Sequence, residues 1–501
     1  MTQLMFIKPT KKKRMTQRKT TTILASVGLA FAVCLFPWQA EAKNNPNDEL
    51  ELTYLEEFGK RLFFENISDP ERMSCSTCHS PSAGGTNGHS GTNLKQVAVT
   101  GADPNGENGK PSNPGTPNAG ALKPPTNKYA QFLNKNTGEV NGLPPFGDCS
   151  SPSSKCGGAF WNGRAKGDSI NPEGGIFADL NGGDYESDMY IQYLGPVTDQ
   201  AHASPFINPV EQGHDDKTAV CQNVAKTKWG AELYKFAWNK ELNCDLDKDG
   251  IDIVFARFAV ALGAWQMSYE NNPFNSKRDN ALKNDDDELF PLDDFTEQEN
   301  LGHDLFYGVA ADRADLGFGQ ARCFFCHLSD NRDGTGEFER YTDDSYHNIG
   351  VPRNYELPGS PLPNEGLSAT TGDKVNHEGL HKTPTLRNVD MRPGNGFVKA
   401  YTHNGWFKNL ETLVHFYNTA SIKDRCDADI TTAKDAWANN CWPVPEFEDT
   451  SAIGFVLGNL KLTPDDEAAI VAYLKTLTDT SVVKLPKPYK SAPYDHTRLS
   501  H

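Results

Sequence analysis

Basic residues are fewer than acidic ones in this sequence. It has 49 lysines and arginines and 66 aspartates and glutamates, which give a formal net charge of −17. An acidic surface disfavours nucleic acid and suits a basic protein partner, although acidity can also serve solubility alone. The sequence has no glycine-rich phosphate loop after a strand pattern and no long strand-rich segment. It therefore lacks the usual signs of a nucleotide-binding α/β protein.

Long apolar runs are also missing, apart from residues 23–36 near the N-terminus. A basic segment at 11–19 precedes this run and Ala-Glu-Ala at 40–42 follows it, a pattern typical of an export signal cleaved before Lys43. Residues 1–42 are therefore predicted to be a signal peptide, with Met15 as an alternative start and an uncleaved anchor as the minor alternative. The mature protein is predicted to be periplasmic, with no stable membrane insertion.

Cysteine is scarce, with 11 residues, but four cysteines form two C-x-x-C-H motifs. The motifs consist of Cys75, Cys78 and His79, and of Cys323, Cys326 and His327. At this spacing two thiols can form thioethers with haem vinyl groups while the imidazole binds the iron, which predicts two covalently bound c-type haems. The alternatives are a four-thiolate zinc site and a redox dithiol, but neither accounts for a histidine after each pair.

Six other cysteines remain once Cys34 is removed with the signal peptide. They fall into near neighbours: Cys149 with Cys156, Cys221 with Cys244, and Cys426 with Cys441. In an exported protein an even remainder at such spacing predicts three disulfides, although the sequence permits other pairings. Disulfides and covalent haem both favour an extracytoplasmic compartment.

The two haem motifs lie in a duplicated unit. A glycine, a leucine and two aromatic residues precede each motif: Gly59, Leu62, Phe63 and Phe64, then Gly302, Leu305, Phe306 and Tyr307. Each unit is predicted to contain an amphipathic helix, a loop and the haem motif. The helices are predicted over Leu50–Phe64 and Thr296–Tyr307. A buried helix is expected over Ile253–Tyr269, and a last one from the cap Thr463.

Other stretches are predicted to lack regular structure. Residues 80–158 are rich in glycine, proline, asparagine and serine, which predicts long loops. A charged, proline-interrupted stretch at 275–294 predicts a boundary between an N-terminal haem domain (43–290) and a C-terminal haem domain (291–480), followed by an extended tail (481–501). Residues 245–252 resemble the start of a calcium loop, but Ala256 stands where an EF-hand needs glutamate, so an acidic turn without an ion is favoured.

Four further segments carry a family resemblance. They are Phe-Trp-Asn-Gly-Arg-Ala at 160–165, Asn-Pro-Val-Glu at 208–211, Thr-Pro-Thr-Leu-Arg-Asn-Val at 383–389 and Tyr-Thr-His-Asn-Gly at 401–405. Together with the two haem motifs, they make residues 50–480 resemble the bacterial dihaem cytochrome c peroxidase and MauG superfamily. Residues 346–351 and 123–126 look more like the MauG-type relatives, which oxidise a partner protein. The resemblance implies a mostly α fold of two cytochrome-c-like domains with long irregular loops.

The resemblance also implies roles for single residues. His79 and His327 would bind the two irons, with the N-terminal haem as the peroxide site and the C-terminal haem as the electron-transfer site. Trp161 matches the tryptophan that relays electrons between the haems. Glu211 matches a distal acid, which can move a proton between the two oxygens of peroxide. Gln200 matches the distal glutamine, although one extra residue separates it from Pro205.

The sixth ligand of the second haem distinguishes the subclasses. The ordinary peroxidases have a methionine, whereas alignment here gives Lys399 with Tyr401 two residues on, and Met391 is a further alternative. A tyrosinate at Tyr401 would match the MauG-type relatives; a packed core tyrosine is the alternative. No distal histidine is found for the first haem, since His89 lies too close to His79. A calcium ion between the domains is also implied, with the backbone of Thr383–Thr385 as its candidate ligands.

Three functions follow from these interpretations. The first is reduction of hydrogen peroxide with electrons from a small cytochrome or cupredoxin. The second is a MauG-like oxidation, by peroxide, of residues such as tryptophan on a partner protein. The third belongs to another class, a non-catalytic electron carrier with two six-coordinate haems, in which Glu211 would have no chemical role.

Overall fold

The protein is described by a computed structural model over residues 51–102, 119–151, 153–167, 190–203, 205–285, 289–316, 320–327, 335–359, 361–454 and 456–499. The predicted signal peptide lies outside these residues. The α-helices are α1 (Tyr54–Phe64), α2 (Cys75–Cys78), α3 (Ser90–Leu94), α4 (Pro196–Ala203), α5 (Lys217–Lys226), α6 (Gly230–Trp238), α7 (Lys248–Met267), α8 (Lys277–Asn284), α9 (Glu297–Tyr307), α10 (Phe324–His327), α11 (Ser368–Thr371), α12 (Lys374–His377), α13 (Leu410–Thr419), α14 (Ala433–Ala438) and α15 (Pro464–Thr476).

The strands are short and pair only as antiparallel hairpins: β1 (Gln131–Leu133) with β2 (Val140–Gly142), β3 (Gly147–Asp148) with β4 (Lys155–Cys156), and β5 (Tyr346–His347) with β6 (His381–Lys382). Helices and irregular loops therefore make up most of the described chain, as the sequence predicted. The segment 80–158 was predicted to be loop, but it contains the first two hairpins.

Two long-range helix pairs organise the fold. Helix α1 packs on α7, and α9 packs on α15. Each crossing has a glycine at its closest point: a Cβ on Gly59 would lie 1.8 Å from the carbonyl oxygen of Ala261, and one on Gly302 would lie 2.0 Å from that of Ala469. Only a residue without a side chain fits between two backbones so close together. The duplicated glycine of the sequence is thus a duplicated helix crossing.

Two predicted helix starts, at Thr296 and Thr463, are confirmed by their caps, and the first helix has its cap at Thr53. Thr53, Thr296 and Thr463 each close a capping box with the acidic residue three positions later. In such a box, the threonine side chain and the carboxylate satisfy backbone N–H groups that the first turn leaves unpaired. The helix predicted from residue 50 begins instead at Tyr54, because the box fixes Thr53 as its cap.

The helix pairs lie in two separate hydrophobic cores. The first core is built mainly from residues 54–267 and contains Phe58, Leu62 and Trp265, all fully buried. The second is built from residues 281–477 and contains Leu305 and Phe306. Cys75 packs against the first core and Cys323 against the second. The boundary at 290/291 stays a prediction.

The acidic turn before α7 is a helix cap. Asp247 accepts a hydrogen bond from the backbone N–H of Gly250 (3.0 Å), and Asp252 pairs with Lys217 and Lys248 at 2.7 Å each. These two carboxylates therefore serve the start of α7 and two ion pairs, and the absence of an ion stays a prediction. Within the described ranges, α7 is the one helix whose length and apolar composition would suit a membrane span, and 83% of its apolar window is buried in the protein.

Two of the three predicted disulfides are present, Cys221–Cys244 and Cys426–Cys441. The third prediction was wrong for this structure, because Cys149 and Cys156 are free thiols. A hydrogen bond joins the two side chains. Their hairpin is held by backbone pairing of Gly147 with Cys156 and of Asp148 with Lys155 rather than by a covalent bond.

The C-terminal tail returns to the first core. Val483 is buried there, the ring of Tyr494 stacks on that of Tyr54 (5.3 Å), and the guanidinium of Arg498 lies 4.5 Å from the same ring. We expect the double substitution Tyr494→Ala/Arg498→Ala to lower the free energy of unfolding by at least about 1–2 kcal/mol, the sum of one aromatic and one cation–π contact. The substitution also removes the ion pairs of Arg498 with Glu51 and Glu57.

Urea unfolding followed by tryptophan fluorescence measures this loss. Leu485→Ala is the control, because Leu485 lies in the same tail but is 69% exposed, and such a surface change shifts stability by less than about 0.5 kcal/mol. An unchanged unfolding midpoint in the double variant would contradict a stabilising role of the tail.

Candidate functional site: two haem sites and the residues between them

The first haem motif occupies the short helix α2 and its C-cap. His79 follows α2, and its Nδ1 hydrogen-bonds the carbonyl oxygen of Gly85 (3.1 Å). A carbonyl accepts a proton but cannot donate one, so Nδ1 carries the hydrogen and Nε2 keeps its lone pair. Burial lowers the pKa of His79, which favours the same neutral form. This is the arrangement that an iron-binding histidine needs.

Glu211 lies beside the thiols of the first motif. Burial, and then the negative charge of Glu211, raises the pKa of both Cys75 and Cys78 to about 12. The next residue, Gln212, donates from Nε2 to Sγ of Cys75 (3.2 Å), which fixes this segment against the motif. The predicted distal acid is therefore close to the first haem site in space, although 132 residues or more separate it from the motif in sequence.

The carboxylate of Glu211 is held in place by its own turn. Oε1 accepts a hydrogen bond from Nδ2 of Asn208 (2.9 Å), and the carbonyl oxygen accepts one from the backbone N–H of Ala102 (2.8 Å). Burial raises the pKa of Glu211, and the hydrogen bond from Asn208 opposes that rise. A carboxylate with a raised pKa is a stronger base than an exposed one, which suits the transfer of a proton at neutral pH.

Two other candidates for the first site lie apart from this cluster. Gln200 is half-buried on α4, and no hydrogen bond between described residues joins its side chain to Cys75, His79 or Glu211. Its distal role stays a prediction. His89 is exposed and lines a surface hollow with Thr92, Lys95 and Gln96, which agrees with the expectation of a surface histidine.

The second haem motif opens into a large internal cavity. Cys323, Cys326 and His327 line it together with apolar side chains of the second core: Phe306, Leu410, Leu413, Val414, Leu460, Ile470 and Leu474. The Nδ1 of His327 hydrogen-bonds the carbonyl oxygen of Tyr341 (2.9 Å), so Nε2 again keeps its lone pair. An apolar chamber with two thiols and a histidine at its wall fits a covalently attached haem.

The three candidates for the sixth ligand differ in their positions and in the hydrogen bonds that their side chains already form. Tyr401 lines the cavity; its hydroxyl accepts a hydrogen bond from Nη2 of Arg392 (3.3 Å) and donates a long one to Oδ1 of Asp390 (3.5 Å). Lys399 also lines the cavity, but its Nζ donates to the carbonyl oxygens of Ala83, Asn388 and Met391 at 2.8, 2.9 and 3.0 Å. Met391 is buried and is not among the residues of the cavity wall. Tyr401 is therefore the best placed of the three.

Trp161 lies on the wall of the same cavity, next to the first site. Its side chain is 7% exposed, and Nε1 donates to the carbonyl oxygen of Lys123 (2.8 Å). The rings of His381 and His403 lie 6.5 and 6.4 Å from the indole and stack on each other at 3.5 Å. The predicted relay residue is thus set among aromatic side chains from two other segments.

A buried acid completes the cluster around Trp161. Nε2 of His403 hydrogen-bonds Oε2 of Glu446 (2.8 Å). Burial lowers the pKa of His403 to about 3 and raises that of Glu446 to about 7, so the imidazole is neutral and this contact is a hydrogen bond rather than an ion pair. Sequence reasoning missed His381 and Glu446, because neither lies in a motif with a spacing that indicates chemistry.

The two C-x-x-C pairs do not combine into a zinc site, since each lies against its own core. Across the described ranges, Cys326, Asp343 and His347 are the one group of three side chains close enough to share a metal ion. Cys326 belongs to the second haem motif, so this group is part of the haem site.

Known proteins resemble this chain in sequence and in structure. A family model for di-haem cytochrome c peroxidases matches residues 54–287. The methylamine utilization protein MauG of Paracoccus denitrificans is 26% identical over 444 residues, which cover 87% of this chain and 92% of that protein. The chain is thus similar to the di-haem cytochrome c peroxidase/MauG family.

Two solved structures share the fold of this chain. The diheme peroxidase BthA of Burkholderia thailandensis has a TM-score of 0.56 and 21% identity, with 86% of this chain and 87% of that chain covered. A MauG-like protein associated with microbial copper homeostasis has a TM-score of 0.52 and 20% identity, with 93% and 99% covered. The predicted resemblance is confirmed, and the protein is a haem-dependent oxidoreductase whose family implies two haems.

The calcium ion implied by the family gains no support from the contacts around its candidate ligands. The carbonyl oxygen of Thr383 already accepts a hydrogen bond from the hydroxyl of Thr342 (2.7 Å). In the adjoining segment, the carboxylate of Asp344 is already paired with the guanidinium of Arg340 at 2.8 Å. Calcium prefers six to eight oxygen ligands with carboxylates among them. The ion stays a prediction and enters no step below.

Proposed function

We propose that this dihaem enzyme acts in the periplasm and uses hydrogen peroxide to oxidise residues of a partner protein, as the resemblance to MauG-type relatives implies. One observation carries the proposal: Tyr401 lines the second haem cavity, while the ammonium of Lys399 is bound to three carbonyl oxygens. Tyrosine as the sixth ligand would set this haem apart from those with methionine.

The sixth ligand would set the reduction potential of the second haem, and so whether that haem readily accepts electrons. A methionine ligand raises the potential of a haem and lets it accept electrons from a small donor protein. Burial, and then the charge of Asp390, raises the pKa of Tyr401, so its phenol would lose its proton only on binding the iron. As a phenolate beside the guanidinium of Arg392 (3.3 Å), it would donate electron density and lower the potential. Such a haem is a poor acceptor for a small cytochrome or cupredoxin, and a better store for oxidising equivalents that are later taken from a protein side chain.

The haems, when bound, supply the irons that react with peroxide and hold its oxidising equivalents. Glu211 would take the proton from one oxygen of peroxide and deliver it to the other, so that the O–O bond breaks with water as the leaving group. Asn208 would hold the carboxylate in position through the contact at 2.9 Å. The overall reaction consumes one peroxide, two protons and two electrons from the partner and yields two waters.

Trp161 would carry electrons between the two sites. Its indole N–H is bound to the carbonyl oxygen of Lys123, which is not a base. The indole would therefore keep its proton when it gives up an electron, and return to its starting state when an electron arrives. The neutral His381 and His403 rings beside it shield it from solvent.

The same residues serve the second candidate function, reduction of peroxide with electrons from a small cytochrome or cupredoxin. Glu211 and Trp161 would act identically, and the two functions differ in the second haem's ligand and in the electron source. The third candidate, a pure electron carrier, leaves a buried carboxylate with a raised pKa beside the first haem motif without a purpose.

Peroxide addition to the purified ferric protein tests the proposal. Rapid-scan absorbance from the Soret band into the near infrared should show an immediate reaction without prior reduction, and a long-lived near-infrared band. A reaction that requires one-electron reduction first would indicate a hidden distal ligand and an ordinary peroxidase. A protein that does not react in either state would be a carrier, and the proposal would be wrong.

A further inference from the structure

Lys123 is an ammonium group without a counter-ion at the boundary of the two haem sites. It lines the second haem cavity together with Trp161 and Lys399. Its Nζ has one hydrogen bond among the described residues, to the carbonyl oxygen of Pro124 at 3.4 Å, which is near the limit for such a bond. Burial lowers its pKa to about 8, and no carboxylate of the described chain opposes that shift.

A second lysine, Lys399, adds to the positive charge and is buried (3% exposed). The charge of Lys123, after burial, lowers the pKa of Lys399, which places the two ammonium groups near each other. Gly84 and Thr86, from the segment that follows His79, line the cavity together with Lys123. Lys399 is satisfied by three carbonyl oxygens, but Lys123 is not. Lys123 is half-buried on the cavity wall, and an ammonium with one long contact in such a place can bind an anion.

Two other cations of the cavity wall, Lys382 and Arg387, already have hydrogen-bond or ion-pair partners. Nζ of Lys382 donates to the carbonyl oxygens of Gly157 (2.7 Å) and Asp344 (3.1 Å), and Arg387 forms a two-pronged pair with Asp279 at 2.7 and 2.9 Å. Lys123 differs from both in having only one long contact.

The anion is identified by what the cavity is built to hold. A haem is apolar over most of its surface and carries two propionate carboxylates at one edge, and this cavity is apolar over most of its wall. We infer that Lys123 binds a haem propionate at the boundary between the two haem sites and so raises the reduction potential of that haem. The inference rests on the proposed function, because it needs the haems in place.

The backbone of Lys123 gives this contact a second consequence. Its carbonyl oxygen holds the indole N–H of Trp161 (2.8 Å), and its own N–H donates to the carbonyl oxygen of His403 (2.8 Å). A propionate bound by the side chain would therefore fix the haem edge relative to the relay residue. The same ammonium disfavours the extra positive charge of the ferric state, which is why the potential rises.

The test is a spectroelectrochemical titration of Lys123→Met and Lys123→Arg beside the wild type. In Lys123→Met we expect the equilibrium constant for reduction of one haem to fall at least tenfold, equivalent to 59 mV for one electron. In Lys123→Arg, which keeps the charge, it should stay within threefold of the wild type. The haem whose potential falls, first or second, identifies the source of the propionate.

Lys408→Met is the matched control. Burial lowers the pKa of Lys408 to about 8 as well, but its Nζ is bound to the carbonyl oxygens of Asn93 (2.8 Å) and Gly405 (2.7 Å), and it is not part of the cavity wall. It should leave both potentials unchanged. The inference is overturned if both haems of Lys123→Met keep their equilibrium constants for reduction within threefold of the wild type. It is also overturned if Lys408→Met lowers one of these constants as much as Lys123→Met does.

Loss of haem is also informative. Should Lys123→Met be recovered without haem, Lys123→Gln is titrated in its place. Haem loss from both neutral variants but not from Lys123→Arg supports the contact, and haem loss from all three contradicts it. The titration needs no peroxide, so a shifted potential in a protein that does not react with peroxide would overturn the proposed function and leave the role of Lys123 standing.

Discussion

Glu211→Gln is expected to slow the reaction of the ferric protein with peroxide by a factor of about 10²–10⁴, the usual contribution of a positioned acid–base group. Glutamine has nearly the same shape as glutamate and can still accept from Nδ2 of Asn208, but it cannot take and return a proton. Stopped-flow absorbance at the Soret band measures the rate. Haem content should be unchanged, because Glu211 is not part of the attachment motif.

Glu446→Gln is the control for this variant. Glu446 is likewise buried, with its pKa raised to about 7, but it hydrogen-bonds His403 on the side of the second cavity. We expect its first reaction with peroxide to keep the wild-type rate within about threefold. If Glu211→Gln also reacted at the wild-type rate, the acid–base role of Glu211 would be wrong.

The pH dependence of the same rate gives an independent check. Glu211 acts first as a base, so it must be ionised when peroxide arrives. Burial raises its pKa, and the rate in the wild type should therefore fall as the pH drops through that raised value. The fall should begin at a higher pH than an exposed glutamate would give, and it should be absent in Glu211→Gln.

The haem sites could be predicted from the sequence because their chemistry is local. C-x-x-C-H places two thiols and an imidazole on one short helix, and a threonine followed three residues later by an acid fixes the start of α1, α9 and α15. The repeated glycine before each motif proved to be the point where two backbones touch. Each of these signals lies within a few residues of the feature that it predicts.

The surroundings of Trp161 could not be predicted in this way. His381, His403 and Glu446 come from three segments, and only the folded chain brings them within contact of one another. The hydrogen bonds of Lys399 could not be predicted either, since its carbonyl partners at 83, 388 and 391 come from segments far apart in sequence. Sequence alignment could place Lys399 and Tyr401 side by side as candidates, but only the hydrogen bonds of Nζ separate them.

Tyr401→Met is expected to raise the reduction potential of the second haem by a few tenths of a volt, within the span of about 0.8 V that axial ligands set. Methionine can reach the same cavity, since Tyr401 is 5% exposed and lies on its wall, and a thioether stabilises the ferrous state where a phenolate stabilises the ferric one. Spectroelectrochemical titration measures the shift, and the first haem should keep its potential.

The same variant separates the two candidate functions. With the higher potential, the second haem should accept electrons from a small cytochrome or cupredoxin, so turnover of peroxide with such a donor should increase, and the long-lived near-infrared band should disappear.

Tyr417→Met is the control, because Tyr417 lines the same cavity but is not aligned with the ligand segment, and it should leave the potential unchanged. An unchanged potential in Tyr401→Met would mean that the phenol only packs in the core. The oxidation of a partner protein would then lose the observation that carries it, because nothing would distinguish this second haem from an ordinary electron acceptor.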